Sequence, residues 1–372
     1  MPGLRKKQTA SHSHLKWAPD TELVGLEFEL VLEKDAYLYP EYSKGLHAWF
    51  LHQVQQIDPQ LSAYLHDEES EKAFTVSGLL DGEIVSSGRQ VKLLSNTIYR
   101  WYVTGLSSRV IKWMDRWVKK LPVIVNLHDA ALHVRACNIV HPPTTYEELL
   151  NSNHDRSIIL QFITPTSFRR KGHHLPLPVP TNLFHSYLRR WNNFSGMAVD
   201  HNDFLAWIDD CVFINRCQIT TTKVLAGKRG AVTGFTGAIE LSLTQQAAKN
   251  PEYEQLFYAL GKLAPYCGTG HKTTFGLGQT RLGWSSELVQ DVPSVETVLT
   301  QRIEELAEIF KAQRKRTGGT RASEIASKWA TILARREMGE SVQEIADDLQ
   351  MPYETVKTYV KLARRALKDG NG

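Results

Sequence analysis

Hydrophobic and polar positions change their period several times along this chain, and the changes mark its elements. Leu23-Val-Gly-Leu-Glu-Phe-Glu-Leu-Val-Leu32 alternates apolar and polar residues in its second half, the pattern of a half-buried strand. Tyr42 to Tyr64 has helical spacing, interrupted at Pro59, where Asp58 marks a fresh helix start. Phe74 to Ser77 and Gln90 to Leu94 read as short strands. Gly105 to Lys120 reads as a second helix, with Val110, Trp113, Met114 and Trp117 on one face. Ala131 to Val140 reads as a strand. The order β-α-β-β-α-β is the ferredoxin-like one. It then repeats: strand Ser157 to Thr164, helix Thr181 to Trp191, strands Cys211 to Leu225 and Ala231 to Leu243, helix Asn250 to Leu263, strand Gln279 to Trp284. Pro176, Pro178 and Pro180 stiffen the loop before the first helix of this block. The two blocks share element order, not residue-level repeats. The fold class is α+β, with tandem ferredoxin-like (RRM-like) domains whose facing sheets form a cleft suited to RNA.

The last part of the chain is helical. A linker helix is expected from Ser294 to Lys311, then a break at Thr317-Gly-Gly-Thr320. Helices follow at Ser323 to Arg336, Val342 to Leu349 and Tyr353 to Leu367, with Pro352 near the start of the last one. Ile345, Ala346, Leu349, Val356, Val360 and Leu362 supply the apolar packing. This reads as a helix-turn-helix, with Tyr353, Glu354, Thr355, Lys357 and Thr358 at the exposed start of the last helix, where such modules contact bases. The alternative is a helical hairpin for protein contact. The expected division is a flexible N-terminus over residues 1–20, ferredoxin-like domains over 21–145 and 146–290, a linker helix over 291–319 and a helix-turn-helix domain over 320–372.

A hydrophobic content of 42% supports real cores, and a net charge of +4 is too mild to announce nucleic acid. The distribution says more. Eight basic residues (Lys311, Arg314, Lys315, Arg316, Arg321, Lys328, Arg335, Arg336) stand against Glu324 alone between Lys311 and Arg336. Such a run marks either a phosphate-facing surface or a solvated face. Cys137, Cys211, Cys217 and Cys267 form no CxxC pair, which argues against a disulfide framework or zinc and for reduced, mostly buried thiols in a cytosol. No signal peptide is visible before Lys16, and no apolar run approaches a membrane span.

The densest candidate chemistry is Gly268-Thr-Gly-His-Lys-Thr-Thr-Phe-Gly-Leu-Gly278. Glycine permits positive φ and close approach to a phosphate, consecutive loop N–H groups can form an anion-binding concavity, and Lys272 adds charge. A helix precedes this loop and a strand follows it, which excludes the Walker and dinucleotide loops. A polymer backbone is the expected partner; a flexible glycine hairpin is the alternative. Candidate RNA contacts are Gly268, Gly270, His271, Lys272, Thr273, Gly276 and Gly278, with the basic patch Arg169-Arg170-Lys171. A second cluster holds His47, His52 and His66, with Lys72 beyond. Histidine suits proton transfer and lysine can steady a charged phosphate in a transition state. His47 and His52 are five residues apart and do not share one helical face. No HExxH or carboxylate-rich set suggests a metal; His173-His174 and His201-Asn202-Asp203 read as loop residues.

The glycine loop resembles the C-terminal signature of the CRISPR-associated endoribonucleases of the Cas six type. Asp58-Pro-Gln-Leu-Ser-Ala-Tyr-Leu-His66-Asp67, with Lys72-Ala-Phe-Thr-Val-Ser77, resembles their N-terminal motif, and Phe162-Ile-Thr-Pro-Thr166 is similar to the opening of their second domain. The three motifs stand in order between about residues 22 and 285. The resemblance implies metal-independent, cofactor-free cleavage of CRISPR precursor RNA within each repeat, leaving a 2′,3′-cyclic phosphate (or 3′-phosphate) and a 5′-hydroxyl. Repeat RNA would be the partner, with effector-complex subunits as further ones. His66 falls on the family's usual histidine and Lys72 on a lysine that is catalytic in some members. A tyrosine used by some members corresponds to Leu51 here, so that role is unfilled, with His52 beside it and His47 one turn earlier as substitutes. A non-catalytic RNA-binding subunit is the alternative implied by the same fold. The helices after residue 317 lie outside this resemblance. They resemble the helix-turn-helix of sigma-factor and response-regulator type, which would make a DNA-binding regulator a third reading.

Overall fold

The computed structural model of the chain describes residues 15–66, 71–87, 90–153, 157–225, 231–285, 295–312 and 320–369. Asp67, the glycine break at 317–319, Arg314, Lys315 and Arg316 lie outside these residues, as do positions 1–14 of the expected loose N-terminus. In its remainder, Leu15 and Trp17 pack against the first core.

The first unit runs β1 (Leu23–Val31), β2 (Ala36–Leu38), α1 (Tyr42–Ile57), α2 (Pro59–His66), β3 (Phe74–Leu80), β4 (Ile84–Ser87), β5 (Gln90–Leu93), β6 (Tyr99–Gly105), α3 (Ser108–Val118), β7 (Ile124–Leu127) and β8 (Ala130–Thr144). Its main sheet has the order β3-β6-β1-β8-β7. The four principal strands therefore stand in the ferredoxin-like arrangement. The third of them is β6, not the expected Gln90 to Leu94, which pairs with β2 and β4 in a small side sheet. Six of the seven residues of β6 are buried, so it shows no alternation to betray it. Phe28 on β1 opposes Trp101 on β6, and both pack against α1 and α3. On α1 the buried residues Leu46, Phe50 and Val54 recur every four positions. On α3 they are Val110, Trp113, Met114 and Trp117, the face expected from the sequence.

The second unit runs α4 (Tyr146–Asn151), β9 (Ser157–Thr166), β10 (Phe168–Arg170), β11 (His173–Leu175), α5 (Pro180–Phe194), α6 (His201–Cys211), β12 (Val212–Leu225), β13 (Ala231–Leu243), α7 (Pro251–Cys267) and β14 (Thr280–Leu282). Its sheet order, β12-β13-β9-β14, is again ferredoxin-like. Phe162 on β9 packs in one core with Phe184, Tyr187 and Trp191 of α5 and Phe257 and Leu260 of α7. Two expected loops are regular structure. Residues 168–175 form a hairpin whose two turn residues, Lys171 and Gly172, both have positive φ, the geometry of a type I′ turn. His201 opens α6, whose N-terminal N–H groups at Asn202 and Asp203 donate to the Asp200 carboxylate.

The C-terminal region comprises α8 (Val295–Ala312), α9 (Thr320–Glu337), α10 (Val342–Asp348) and α11 (Tyr353–Asp369). Leu306 and Phe310 of α8 pack on Ala326, Ala330 and Leu333 of α9. Ile332 of α9 packs with Ile345 and Ala346 of α10 and Val356 and Val360 of α11. Leu362, expected in this core, is 39% exposed; Ala363 takes the buried position beside it. The expected basic run is partly turned inward. Arg335 pairs with Glu340 at 2.6 Å and Asp348 at 2.5 Å, and Arg336 donates to the Glu340 carbonyl. Lys311 pairs with Glu308.

Candidate active site and nucleic-acid interface

The glycine loop begins where α7 ends, Gly268 turning the chain at φ +64°. At Gly270 a Cβ would lie 2.3 Å from the Ser167 carbonyl oxygen, and at Gly278 2.0 Å from that of Thr269; both sites also have positive φ. Only glycine fits such approaches without moving backbone. The N–H groups of the glycines themselves are spent inside the protein. The N–H groups from Gly268 to His271 and from Phe275 to Gln279 all donate within the protein, to acceptors that include Ser167 O, Ser186 Oγ, Pro165 O and Thr164 Oγ1. The loop is a knot that joins the two units. Val76 N donates to Thr273 O at 3.2 Å, and Gly276 N returns a bond to Val76 O at 3.0 Å, so the loop pairs with β3 of the first unit. Below it, the buried Thr104 hydroxyl donates to Tyr266 O at 2.5 Å.

The histidines divide by position. His47 lies against this knot. Its Nδ1–H donates to Thr274 O at 2.9 Å, and its ring stacks on Phe275 with centroids 4.3 Å apart. Burial, with lesser contributions from the charges of His66 and Lys72, pushes its pKa down to about 4. His47 is thus neutral and anchors the loop. His66 is exposed at the end of α2, and its Nδ1–H donates to Ser62 O at 2.7 Å. That bond leaves the lone pair on Nε2, the tautomer a proton acceptor needs. Lys72 follows, just before β3, and both groups act electrostatically on His47. His52 stands 140° around α1 from His47, exposed, and accepts from Gln56 Nε2 at 3.0 Å. His66 and Lys72 thus both bear on His47, whereas His52 stands on another face of α1.

Beside Lys72 is a cavity of about 500 Å³ between the glycine loop, α5 and the β10–β11 hairpin. Lys72, Arg169, Arg170, Arg189, Arg190 and Lys272 line it, with Glu71 as the one carboxylate in the lining. Gly270, His271, Lys272, Thr273 and Thr274 line it too, whereas Gly268, Gly276 and Gly278 serve the knot behind. Lys171 sits at the hairpin tip. Burial and then Lys44 and Arg169 lower the pKa of Lys272, and burial and then Lys272 and Arg169 lower that of His174, which stacks on His271. Like charges held together are relieved by a polyanion, so the lining is suited to phosphates.

The sequence reading missed Glu71, Arg189 and Arg190. Arg190 is 7% exposed and donates to Ser186 O at 2.9 Å, Gly270 O at 3.3 Å and Thr273 Oγ1 at 3.4 Å. Glu71, adjacent to Lys72, pairs with Arg189 and lies 3.7 Å from Arg190. The same arginine pair of α5 therefore holds both the loop and the segment carrying Lys72. The adjacent arginines inside a helix with a buried apolar face were the available signal.

A family model described as "CRISPR-associated endoribonuclease Cas6" matches residues 160–280, and one described as "CRISPR Cas6 N-terminal domain" matches residues 27–105. Together they span more than half of the 372 residues. Among solved structures, a Cas6 product complex aligns over 70% of this chain and 100% of its own, with a TM-score of 0.57 and 23% identity. Thermus thermophilus Cas6 aligns over 71% of this chain and 99% of its own (TM-score 0.53, 23% identity). A Cas6-related protein from Pyrococcus furiosus aligns over 72% and 100% (TM-score 0.52, 15% identity). No curated protein matches the chain. With both family models matched in order across two ferredoxin-like units, the chain belongs to the family of CRISPR-associated endoribonucleases called Cas6.

Proposed function

We propose that this protein cuts CRISPR precursor RNA within its repeats by a metal-independent transesterification. The observation that carries the reading is the cavity lined by six cations, Lys72 among them, and one carboxylate. A base removes the proton of the ribose 2′-hydroxyl, and the 2′-oxygen attacks the adjacent phosphorus. The bond from phosphorus to the 5′-oxygen breaks, and an acid protonates that oxygen. The products are a 2′,3′-cyclic phosphate and a 5′-hydroxyl. Proton transfer is assigned to His66, whose Nδ1 is held by Ser62, which leaves Nε2 for the RNA. Lys72, in the lining of the cavity, is the group assigned to steady the negative charge of the phosphorane-like state. Lys272, Arg169 and Arg170 hold the RNA backbone, and His47 keeps the loop in position.

Single-turnover cleavage of the cognate repeat, with binding measured in parallel, tests these roles. His66→Ala should abolish cleavage and leave binding within a few-fold. Lys272→Ala should weaken binding more than the chemical step. Full-rate cleavage by His66→Ala would remove it from the mechanism. Tight binding without any cleavage by the wild-type protein would favour a non-catalytic carrier of processed RNA.

A further inference from the structure

The C-terminal helices take no part in the chemistry above, yet they present an organised surface. We propose that they bind double-stranded DNA, with α11 in the major groove. α11 packs inward through Val356, Val360 and Ala363, at helical spacing. A flanking face, about 100° around the helix, carries Lys357, Lys361, Arg364 and Lys368, all exposed, at intervals of three and four residues. They form one stripe about 16 Å long at 1.5 Å rise per residue. Lys357 is 3.3 Å from Glu354. Lys361, Arg364 and Lys368 have no ion-pair partner among the described residues. This contrasts with Arg335, whose charge is met by Glu340 and Asp348 in the same region.

The turn geometry is a second, independent observation. Four residues, Leu349 to Pro352, separate α10 from α11, and Gln350 among them adopts φ +51°. A left-handed residue in so short a link turns the second helix sharply away from the first. α10 is fastened at its start by a reciprocal capping box between Ser341 and Glu344, and at its end by Arg335 of α9. α11 is therefore a rigid, outward-facing helix on a three-helix support. Tyr353, 42% exposed, and Thr358 lie at its N-terminal end, where base edges would be met, and the cationic stripe continues toward the phosphates.

Groove dimensions choose between nucleic acids. An α-helix about 10–12 Å across fits a B-DNA major groove about 12 Å wide. The major groove of A-form RNA is too deep and narrow to admit it. The surface thus suits DNA duplex rather than the stem of an RNA repeat, and the proposal stands apart from the cleavage mechanism.

The test uses the full chain and a labelled DNA duplex of about 20 base pairs, with an RNA duplex of the same sequence as control. An excess of unlabelled repeat RNA occupies the core site. The probe variant is Lys361→Glu with Arg364→Glu, both on the surface. DNA should remain bound in the presence of repeat RNA. Four phosphate contacts should make the affinity fall about a hundredfold between about 50 and 200 mM salt. The double variant should bind DNA at least about tenfold more weakly, with a salt slope reduced by about two, while melting temperature and repeat cleavage stay unchanged. Unaltered DNA binding in the variant overturns the proposal, as does displacement of the DNA by repeat RNA. RNA duplex bound as tightly as DNA through the same residues would assign the face to RNA. No DNA binding even at the lower salt would leave it to a protein partner.

Discussion

His47 illustrates how one residue's burial fixes its role. Its ring and that of His141 are both pushed from 6.5 down to about 4, chiefly by burial. The unfolded chain therefore binds more protons than the folded one between about pH 6.5 and 4, and stability falls as pH drops through that window. At pH 5 a shift of this size costs about 2 kcal/mol per group. His47→Gln keeps a donor for Thr274 O and removes the titration. Its melting temperature should fall less than that of wild type between pH 7.5 and 5; identical slopes would show that His47 does not titrate with folding. Gly270 makes a complementary case. A methyl there meets the Ser167 oxygen at 2.3 Å in a left-handed backbone, so Gly270→Ala should destabilise by about 2 kcal/mol or more. Denaturant melts check this, and repeat binding should weaken with the displaced loop.

Among the elements, the glycine loop and α5 work as one device. Arg190 ties Gly270 and Thr273 to α5, and Glu71 brings the Lys72 segment to the same helix. Arg190→Met removes the donors while keeping much of the volume. It leaves the Gly270 carbonyl without that partner and Glu71 with Arg189 alone, so a loss of about 2 kcal/mol is expected. Cleavage should slow more than binding weakens, because the Lys72 segment loosens; a melting temperature within error of wild type would contradict the bracing role. Most of this scale was legible in sequence where periodicity is strong. The α3 face, the Pro59 helix break and the β13 limits read directly from spacing. β6 did not, because a strand buried on both faces loses its alternation. Nor did the β10–β11 hairpin, whose strands are only three residues long. The candidate chemistry was legible as residue types, but the loop's N–H accounting was not. Whether a glycine loop offers donors to a ligand or spends them internally depends on Ser167, Ser186 and Val76, which are distant in sequence.

On the scale of the whole molecule, two ferredoxin-like units share a knot, and a helical module attaches through α8. Val298 of α8 lines a small cavity of about 70 Å³ with Tyr42 of the first unit and Leu277 of the second. A chain ending at residue 312 would expose Leu306 and Phe310, which α9 covers. A chain ending at residue 294 removes the whole helical module, including the Val298 contact. It should retain repeat cleavage within a few-fold and lose the duplex-DNA binding proposed above. The central claim is chemical, and the product ends test it most directly. The purified protein is incubated with its cognate repeat RNA in EDTA, and the termini are mapped. The expected result is full cleavage at one position, with a 2′,3′-cyclic phosphate and a 5′-hydroxyl, and none with His66→Ala. Cleavage that stops in EDTA, or that leaves a 5′-phosphate, would contradict it.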